Sequence, residues 1–292
     1  MSSQKMRIPI PTDEPLFSPA KVNLFFQVVG KRSDGYHEIV SMYQAINVGD
    51  FLYFSPNRRD LLTSNDPTLP LDQTNLVHKA LYLFRKRCPH LPYFHVHMEK
   101  HIPQGAGLGG ASSNAATTLW KVNEYLERPL SEKELIDLGA LLGADVPFFF
   151  SSGLAYCSGK GEIIEDQPQE FPFNAHLALS KYCLSTPLVY GNVSPNHYSK
   201  KPLTPKRFFQ KPAFFNDLEQ AAFATEPRLL QEKRRLAALG FQQVSMSGSG
   251  SAYFCLGPPK NTTARFFPKI YGIRRGAFWY KKTEKQPENR PI

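Results

Sequence analysis

Twelve residues, Pro103-Gln104-Gly105-Ala106-Gly107-Leu108-Gly109-Gly110-Ala111-Ser112-Ser113-Asn114, constrain this chain more than any other stretch. Upstream, Phe94, Val96 and Met98 alternate with His95 and His97, the period of two that marks a half-buried strand. Downstream, residues 112–126 hold neither glycine nor proline and carry Ala115, Ala116, Leu119 and Trp120, so a helix begins inside the loop. A strand therefore hands over to a helix through a backbone whose glycines leave its amides unobstructed. Exposed N–H groups and the positive end of a helix dipole both favour an anion, and the segment reads as a phosphate cradle. A flexible turn would use the same glycines; the helix-opening Ser112-Ser113-Asn114 favours the cradle.

Other phosphate-binding patterns fit less well. Gly105, Gly107 and Gly110 satisfy G-x-G-x-x-G, but a dinucleotide fold needs an acidic residue about 20 positions on, at the end of a second strand. Glu124 and Glu127 fall at the end of a helix instead. No Gly-Lys-Ser/Thr follows the loop, and the protein kinase signatures are missing.

Around the loop the chain alternates strands and helices. Residues 22–29 read as a strand stopping at Gly30, before a turn at Ser33-Asp34-Gly35; residues 38–42 and 50–54 read as two more strands, and 55–73 as a loop. Thr74 or Asn75 can cap a helix with Leu76, Ala80, Leu83 and Phe84 on one face, ending near Pro89. Ser131 and Glu134 form a capping box, and Gly143 ends that helix before Ala144-Asp145-Val146-Pro147, which sets Asp145 in a constrained turn. The proline-rich residues 187–212 mark a seam, giving an N-terminal lobe over 1–186 and a C-terminal lobe over 187–292. The latter holds a helix over 228–239 ended by Gly240, a short strand, Ser247-Gly248-Ser249-Gly250, and a strand through Phe254.

Composition narrows the function classes. A chain of 292 residues with a 41% hydrophobic and 21% charged content can bury a core. The opening residues, with Pro9, Pro11, Pro15, Asp13 and Glu14, suit neither a secretory signal nor a transit peptide, and no apolar run spans a membrane. Cys88, Cys157, Cys183 and Cys255 are widely spaced, which argues against a disulfide framework or zinc site and for a reducing, bacterial-type cytoplasm; Cys157 and Cys183 read as core. His95 and His97 read as an exposed strand face rather than, with His101, a metal site. The net charge of +10 is concentrated: nine basic against two acidic residues from Lys260 to Ile292 leave only +3 elsewhere. Tail aromatics such as Phe266, Phe267 and Tyr271 could stack on single-stranded bases. The favoured reading is a closing strand over 276–280 and a solvated basic tail, with no nucleic-acid partner.

Phosphoryl transfer needs anchored phosphates, a cation at the moving group and a carboxylate on the acceptor hydroxyl. Asp145 and Lys21 are candidates that spacing alone does not pair. Ser18-Pro19-Ala20-Lys21-Val22-Asn23-Leu24, Asp34-Gly35-Tyr36-His37-Glu38, the glycine loop, Gly143-Ala144-Asp145-Val146-Pro147-Phe148-Phe149 and Met246-Ser247-Gly248-Ser249-Gly250 occur in an order that resembles the galactokinase, homoserine kinase, mevalonate kinase and phosphomevalonate kinase (GHMP) superfamily. Within it they are most similar to the branch acting on a cytidine-diphosphate-linked methylerythritol in non-mevalonate isoprenoid synthesis.

The resemblance implies a two-lobed α+β fold with the active site in the cleft between lobes, and transfer of the ATP γ-phosphate to the tertiary 2-hydroxyl of that polyol. It makes Asp145 the general base and Lys21 its electrostatic partner, and gives ATP to the loop from Pro103 to Asn114. Asn23 would hold the substrate, Tyr36 and His37 would flank and hydrogen-bond cytosine, and Thr186 and Tyr190 would touch the polyol end and the other cytosine face. Asn75 would recognise adenine as well as cap its helix. Gly248 and Gly250 would support the loop, and Mg2+ would arrive with ATP near Ser112 or Ser113, without a dedicated protein cluster. Another GHMP kinase with a different alcohol, a non-catalytic nucleotide sensor and a nucleic-acid-binding protein are the alternatives. The tail beyond Phe254 departs from the matched motifs.

Overall fold

The computed structural model describes residues 14–259 and 267–279. Strand β1 (Leu16–Lys31) is buried without a break from Leu16 to Val28, which requires cover on both faces. It pairs antiparallel along its length with β2 (His37–Asn57). The far edge of β2 is shared: its first half pairs with β5 (Leu154–Gly159) and its second with β4 (Tyr93–Glu99). β3 (Leu61–Ser64) joins β4 in parallel, β6 (Ile163–Asp166) joins β5, and β8 (Phe215–Asn216) joins β1 in parallel, completing a seven-stranded sheet.

The strands expected over 38–42 and 50–54 are thus one. Gln44 between them is buried, but its amide donates to the carbonyls of Ala45, Gly153 and Ile273 at 2.9, 3.0 and 3.2 Å, so the polar side chain does not interrupt the sheet. Gly49 continues it because a Cβ there would lie 2.6 Å from the Phe17 ring. The expected loop over 55–73 contains β3, whose Thr63 changes the reading of the histidines. Its Oγ1 lies 2.8 Å from His95 Nε2 and 2.9 Å from His97 Nδ1, and each histidine is only 7% exposed. The exposed face expected there is covered, and burial lowers both imidazole pKa values.

Helices α1 (Leu76–Arg87), α2 (Gly110–Tyr125) and α3 (Glu132–Leu142) form a layer over the sheet. Val77, Ala80, Leu81 and Phe84 of α1 and Ala115, Leu119 and Val122 of α2 share a core with Phe54, Phe94 and Val96. Each large side chain so buried contributes about 1.5–3 kcal/mol. α3 starts at the Ser131–Glu134 capping box and stops at Gly143.

A second, four-stranded antiparallel sheet runs β11-β7-β10-β9, from β7 (Asn174–Ala178), β9 (Gln243–Met246), β10 (Tyr253–Leu256) and β11 (Lys269–Tyr271). With it go α4 (Thr186–Gly191), α5 (Pro205–Gln210), α6 (Glu219–Thr225) and α7 (Arg228–Ala238). Because β7 precedes residue 187 and β8 follows it into the first sheet, the sheets interleave across the expected 186/187 boundary; the chain first enters the second sheet at Asn174.

The closing strand expected over 276–280 is corrected to β11, and Arg275–Ala277 form a 3-10 turn. Side-chain anchors determine that course. The Arg274 guanidinium donates to the Gln167 carbonyl at 2.9 Å, Trp279 Nε1 donates to Thr117 Oγ1 at 3.0 Å, and the Trp279 ring stacks on Trp120 at 4.8 Å. Tyr280 and the basic stretches over 260–266 and 280–292 lie outside the described residues. Cys157 is buried as expected, but Cys183 is exposed because it sits in the connection leading from β7 to α4, not in a strand. Among the described residues no helix is long and apolar enough to cross a membrane.

Candidate active site

The cradle is built from backbone. Gly105, Gly107 and Gly109 have φ of +66°, +74° and +71°, a region open to glycine at little cost, and the first turn of α2 has no side-chain cap to occupy its amides. The connection between β9 and β10 backs the cradle: Ser247 Oγ donates to the Gly107 carbonyl at 3.0 Å and Ala252 N donates to the Ala106 carbonyl at 3.0 Å. Contact is so close that a Cβ at 107 would lie 2.1 Å from the Ser247 carbonyl oxygen. Gly248 and Gly250, with φ of +55° and +90°, supply the turn that brings Ser247 there.

Facing the cradle, Lys21 Nζ lies 3.4 Å from Asp145 Oδ2, with the lysine side chain 3% and the aspartate side chain 30% exposed. Strand alternation puts Asn23 on the Lys21 face, where its Oδ1 accepts from Nζ at 2.8 Å while its Nδ2 donates to Ser41 Oγ at 3.0 Å. Tyr43, the register partner of Asn23, donates its hydroxyl to Asp145 Oδ1 at 3.1 Å and presents its ring 4.6 Å from the Lys21 ammonium. Burial first, then the Asp145 charge, push the Tyr43 pKa well up, so its hydroxyl stays a donor. Asp145 itself is aimed by the turn between Gly143 and the 3-10 turn Pro147–Phe150.

A cleft of about 350 Å³ joins these parts. Lys21, Asn75, Pro103, the loop from Gly105 to Ser112, Asn114, Asp145, Thr186, Tyr190 and Gly248 line it. Asn75 also caps α1, its Oδ1 accepting from Val77 N at 2.9 Å. At the other end His37 stacks on Tyr190 with ring centres 5.3 Å apart, and Tyr198 meets His37 edge-on at 5.9 Å. Partial burial, then the nearby Lys31 charge, lower the His37 pKa, so its neutral ring offers one donor and one acceptor. Tyr36, 59% exposed, stands outside the cleft wall with Lys160 Nζ 4.7 Å from its ring.

Two residues of the loop spend their side-chain groups on the protein itself. Ser113 Oγ is fully buried 2.8 Å from Ser18 Oγ, and the Asn114 amide bonds Ser18 and Asp50, both at 3.0 Å. Sequence reasoning missed Tyr43, Lys100, Asp50 and Lys160. Asp50 accepts from the amides of His101 and Ile102 at 2.8 Å each and pairs with Lys100, which fixes the strand end feeding the cradle. Only the position of Lys100 just before the loop offered a sequence signal.

Residues 75–153, which carry the cradle and Asp145, match the model of the GHMP kinases N-terminal domain. Solved structures agree at the level of fold: a mevalonate kinase shares it with a TM-score of 0.60 at 14% identity, over 90% of this chain and 99% of that one. The matched domain and the shared fold are those of the GHMP kinases. Closer likeness is to the 4-diphosphocytidyl-2-C-methyl-D-erythritol kinase of Protochlamydia amoebophila, 42% identical over 92% of this chain and 94% of that protein. The chloroplastic kinase of the same name from Arabidopsis thaliana is 42% identical over 84% of this chain and 67% of its own length. A crystal structure of 4-(cytidine 5'-diphospho)-2C-methyl-D-erythritol kinase superimposes with a TM-score of 0.72 at 30% identity, over 88% of this chain and 99% of that one. The chain belongs to the 4-diphosphocytidyl-2-C-methyl-D-erythritol kinase family.

Proposed function

We propose that this chain transfers the γ-phosphate of ATP to the 2-hydroxyl of 4-diphosphocytidyl-2-C-methyl-D-erythritol, a step of non-mevalonate isoprenoid precursor synthesis. It is a small-molecule kinase, and its relatives act on the substrate their name states. The observation that carries the residue assignment is the Lys21–Asp145 pair, 3.4 Å apart, in the cleft walled by the glycine cradle.

In this reading Asp145 takes the proton of the acceptor hydroxyl as its oxygen attacks the γ-phosphorus. The bond from that phosphorus to the bridging oxygen breaks, and ADP leaves. Lys21 sets its ammonium against the charge that spreads over the moving group, and Asn23 holds that ammonium from the side. The cradle from Pro103 to Asn114 supplies amides to the phosphates of ATP, with Gly248 and Gly250 behind it, and Asn75 meets adenine at the far end of the cleft. Thr186 touches the polyol and His37 and Tyr190 take the cytosine, while Tyr36, outside the cleft wall, would have to swing in to flank the base. A base opening the His37–Tyr190 stack would replace one aromatic contact with two.

Mg2+ fits as an ion carried by ATP. Ser112 and Asp145 line the cleft beside the cradle. These two would face the ion, which when bound neutralises phosphate charge. Ser113, engaged with Ser18, is the weaker candidate.

The test is ATP consumption with 4-diphosphocytidyl-2-C-methyl-D-erythritol as acceptor. Asp145→Asn is expected to lower kcat by about 100- to 10,000-fold, the range for a lost general base, with nucleotide binding kept. Turnover by the variant at the wild-type rate would remove Asp145 from that role. Wild-type protein that binds ATP yet leaves this acceptor untouched would remove the substrate.

A further inference from the structure

We propose that Asn216 is a positioning residue for phosphate binding, which locks the connection between β9 and β10 against the glycine cradle without meeting the nucleotide. The idea rests on the cradle holding ATP phosphates, but not on the identity of the acceptor. Asn216 ends β8, is 6% exposed and spends both N–H groups of its amide on that connection. Nδ2 donates to the Met246 carbonyl at 2.8 Å and to the Gly248 carbonyl at 2.7 Å. Those two carbonyls flank Ser247, the residue whose hydroxyl donates to Gly107 and whose carbonyl leaves no room for a Cβ there.

The remaining bonds give this clamp a fixed base. Asn216 Oδ1 accepts from Leu218 N at 2.9 Å, which fixes the amide orientation. Phe215 and Asn216 pair with Phe25 and Phe26 of β1, the strand that also carries Lys21 and Asn23. One turn later Glu219 Oε1 accepts from Met246 N at 2.9 Å, with its other oxygen paired to Lys233. Ser247 Oγ in turn accepts from Asn23 N at 3.3 Å. Lysine strand, cradle and connection are thus referred to one frame through Asn216, although its position in the sequence is remote from each.

The carboxamide serves both carbonyls from one atom, whereas the isosteric carboxyl has at most one proton to donate. Asn216→Asp therefore converts the clamp into a pH-dependent one. Ionised, the new carboxylate would oppose two carbonyl oxygens in a buried place, which raises its pKa above the usual carboxylate range of about 3.9. The clamp is then partly kept below that raised pKa and lost as pH climbs through it. The other charged groups around the position are Asp217, which accepts from Val28 N and Ser199, the Glu219–Lys233 pair, and Lys21 near Gly248.

Nucleotide affinity is measured by calorimetry with ATP and magnesium between pH 5.5 and 8.5, for wild type, Asn216→Asp and Asn216→Ser, with circular dichroism to establish folding. At pH 8 the Asp variant is expected to bind ATP about 10-fold or more weakly, the consequence of leaving buried carbonyls unserved. Its deficit relative to wild type should shrink towards pH 5.5. The Ser variant, with one donor and no charge, should show a smaller deficit that does not change with pH, and it decides the matter alone if the Asp variant fails to fold. Wild-type affinity in the folded variants, or an Asp deficit constant across pH, overturns the proposal. Failure of the acceptor to be phosphorylated leaves this binding measurement intact, so the two ideas fall separately.

Discussion

Gly107→Ala would have to satisfy two conditions that the cradle does not allow together. The first is conformational: φ is +74°, where an L side chain costs about 1–2 kcal/mol. The second is steric, since the new Cβ would lie 2.1 Å from the Ser247 carbonyl oxygen and 3.0 Å from that of Gly250. Ordinary contact begins at 3.4 Å, so the closer pair is 1.3 Å short, and both obstructing atoms are backbone. Either the cradle or its support must therefore shift by about 1 Å, a displacement that costs about 100-fold when it misplaces a reacting group. Gly35→Ala separates the two effects, because Gly35 has φ +86° with nothing within 4 Å of its would-be Cβ. Both variants should lose stability in urea unfolding, but only Gly107→Ala should lose about 100-fold in kcat/KM for ATP, read by coupled release of ADP. A Gly107→Ala enzyme with kcat/KM for ATP no worse than that of Gly35→Ala would refute the close-approach argument.

Trp279→Ala should cost about 3–5 kcal/mol in denaturant unfolding, because it deletes the Trp120 stack and the bond to Thr117; a midpoint unchanged in urea would show that the C-terminal crossing contributes nothing to the N-terminal core. Burial lowers the pKa values of His95 and His97, so the unfolded chain binds more protons there and stability should fall as pH drops below about 6.5, levelling off only below the folded values. The double variant His95→Gln, His97→Gln should flatten that slope, and an unchanged slope would assign it to other groups.

Legibility followed the range of the interactions. The glycine turn that opens α2, the capping box of α3 and the stop at Gly143 are local devices, written in consecutive residues, and the structure has them where the sequence puts them. The pairing of Lys21 with Asp145 is not local, and only the ordered motifs suggested it before the 3.4 Å contact was seen. Where sequence reasoning failed, a remote partner had changed the meaning of a residue. His95 and His97 read as an exposed face because β3, the strand that bonds them, hides in a polar stretch. The strands read over 38–42 and 50–54 are one because Gln44 between them is satisfied by the carbonyls of Gly153 and Ile273, far along the chain. Asn216 and Tyr43 carried no signal, since nothing in their neighbourhoods shows that each holds a distant part of one site.

The same long-range arrangement explains how a buried lysine is sustained next to an anion cradle. Taking an ammonium out of water costs several kcal/mol unless partners replace the solvent. Lys21 has three: the Asp145 carboxylate, Asn23 Oδ1 and the face of the Tyr43 ring. Its stem reaches them by passing under the cradle, where a Cβ at Gly109 would meet Lys21 Cγ at 3.1 Å and Cε at 3.2 Å. Gly109 thus makes room for the lysine, and under the proposed function the charge that opposes the moving group would be in place beforehand, which is where electrostatic catalysis obtains most of its effect. It also follows that Asp145→Ala would be a poor probe of the base. That change strips the buried ammonium of its counter-charge and leaves the Tyr43 hydroxyl without its acceptor, so lost activity could come from a displaced Lys21. Asp145→Asn also removes the counter-charge, but it keeps the side chain's shape and one oxygen that can accept from Tyr43, so it disturbs the packing around the lysine less; a binding measurement with ATP beside the kcat then separates a displaced Lys21 from a lost base.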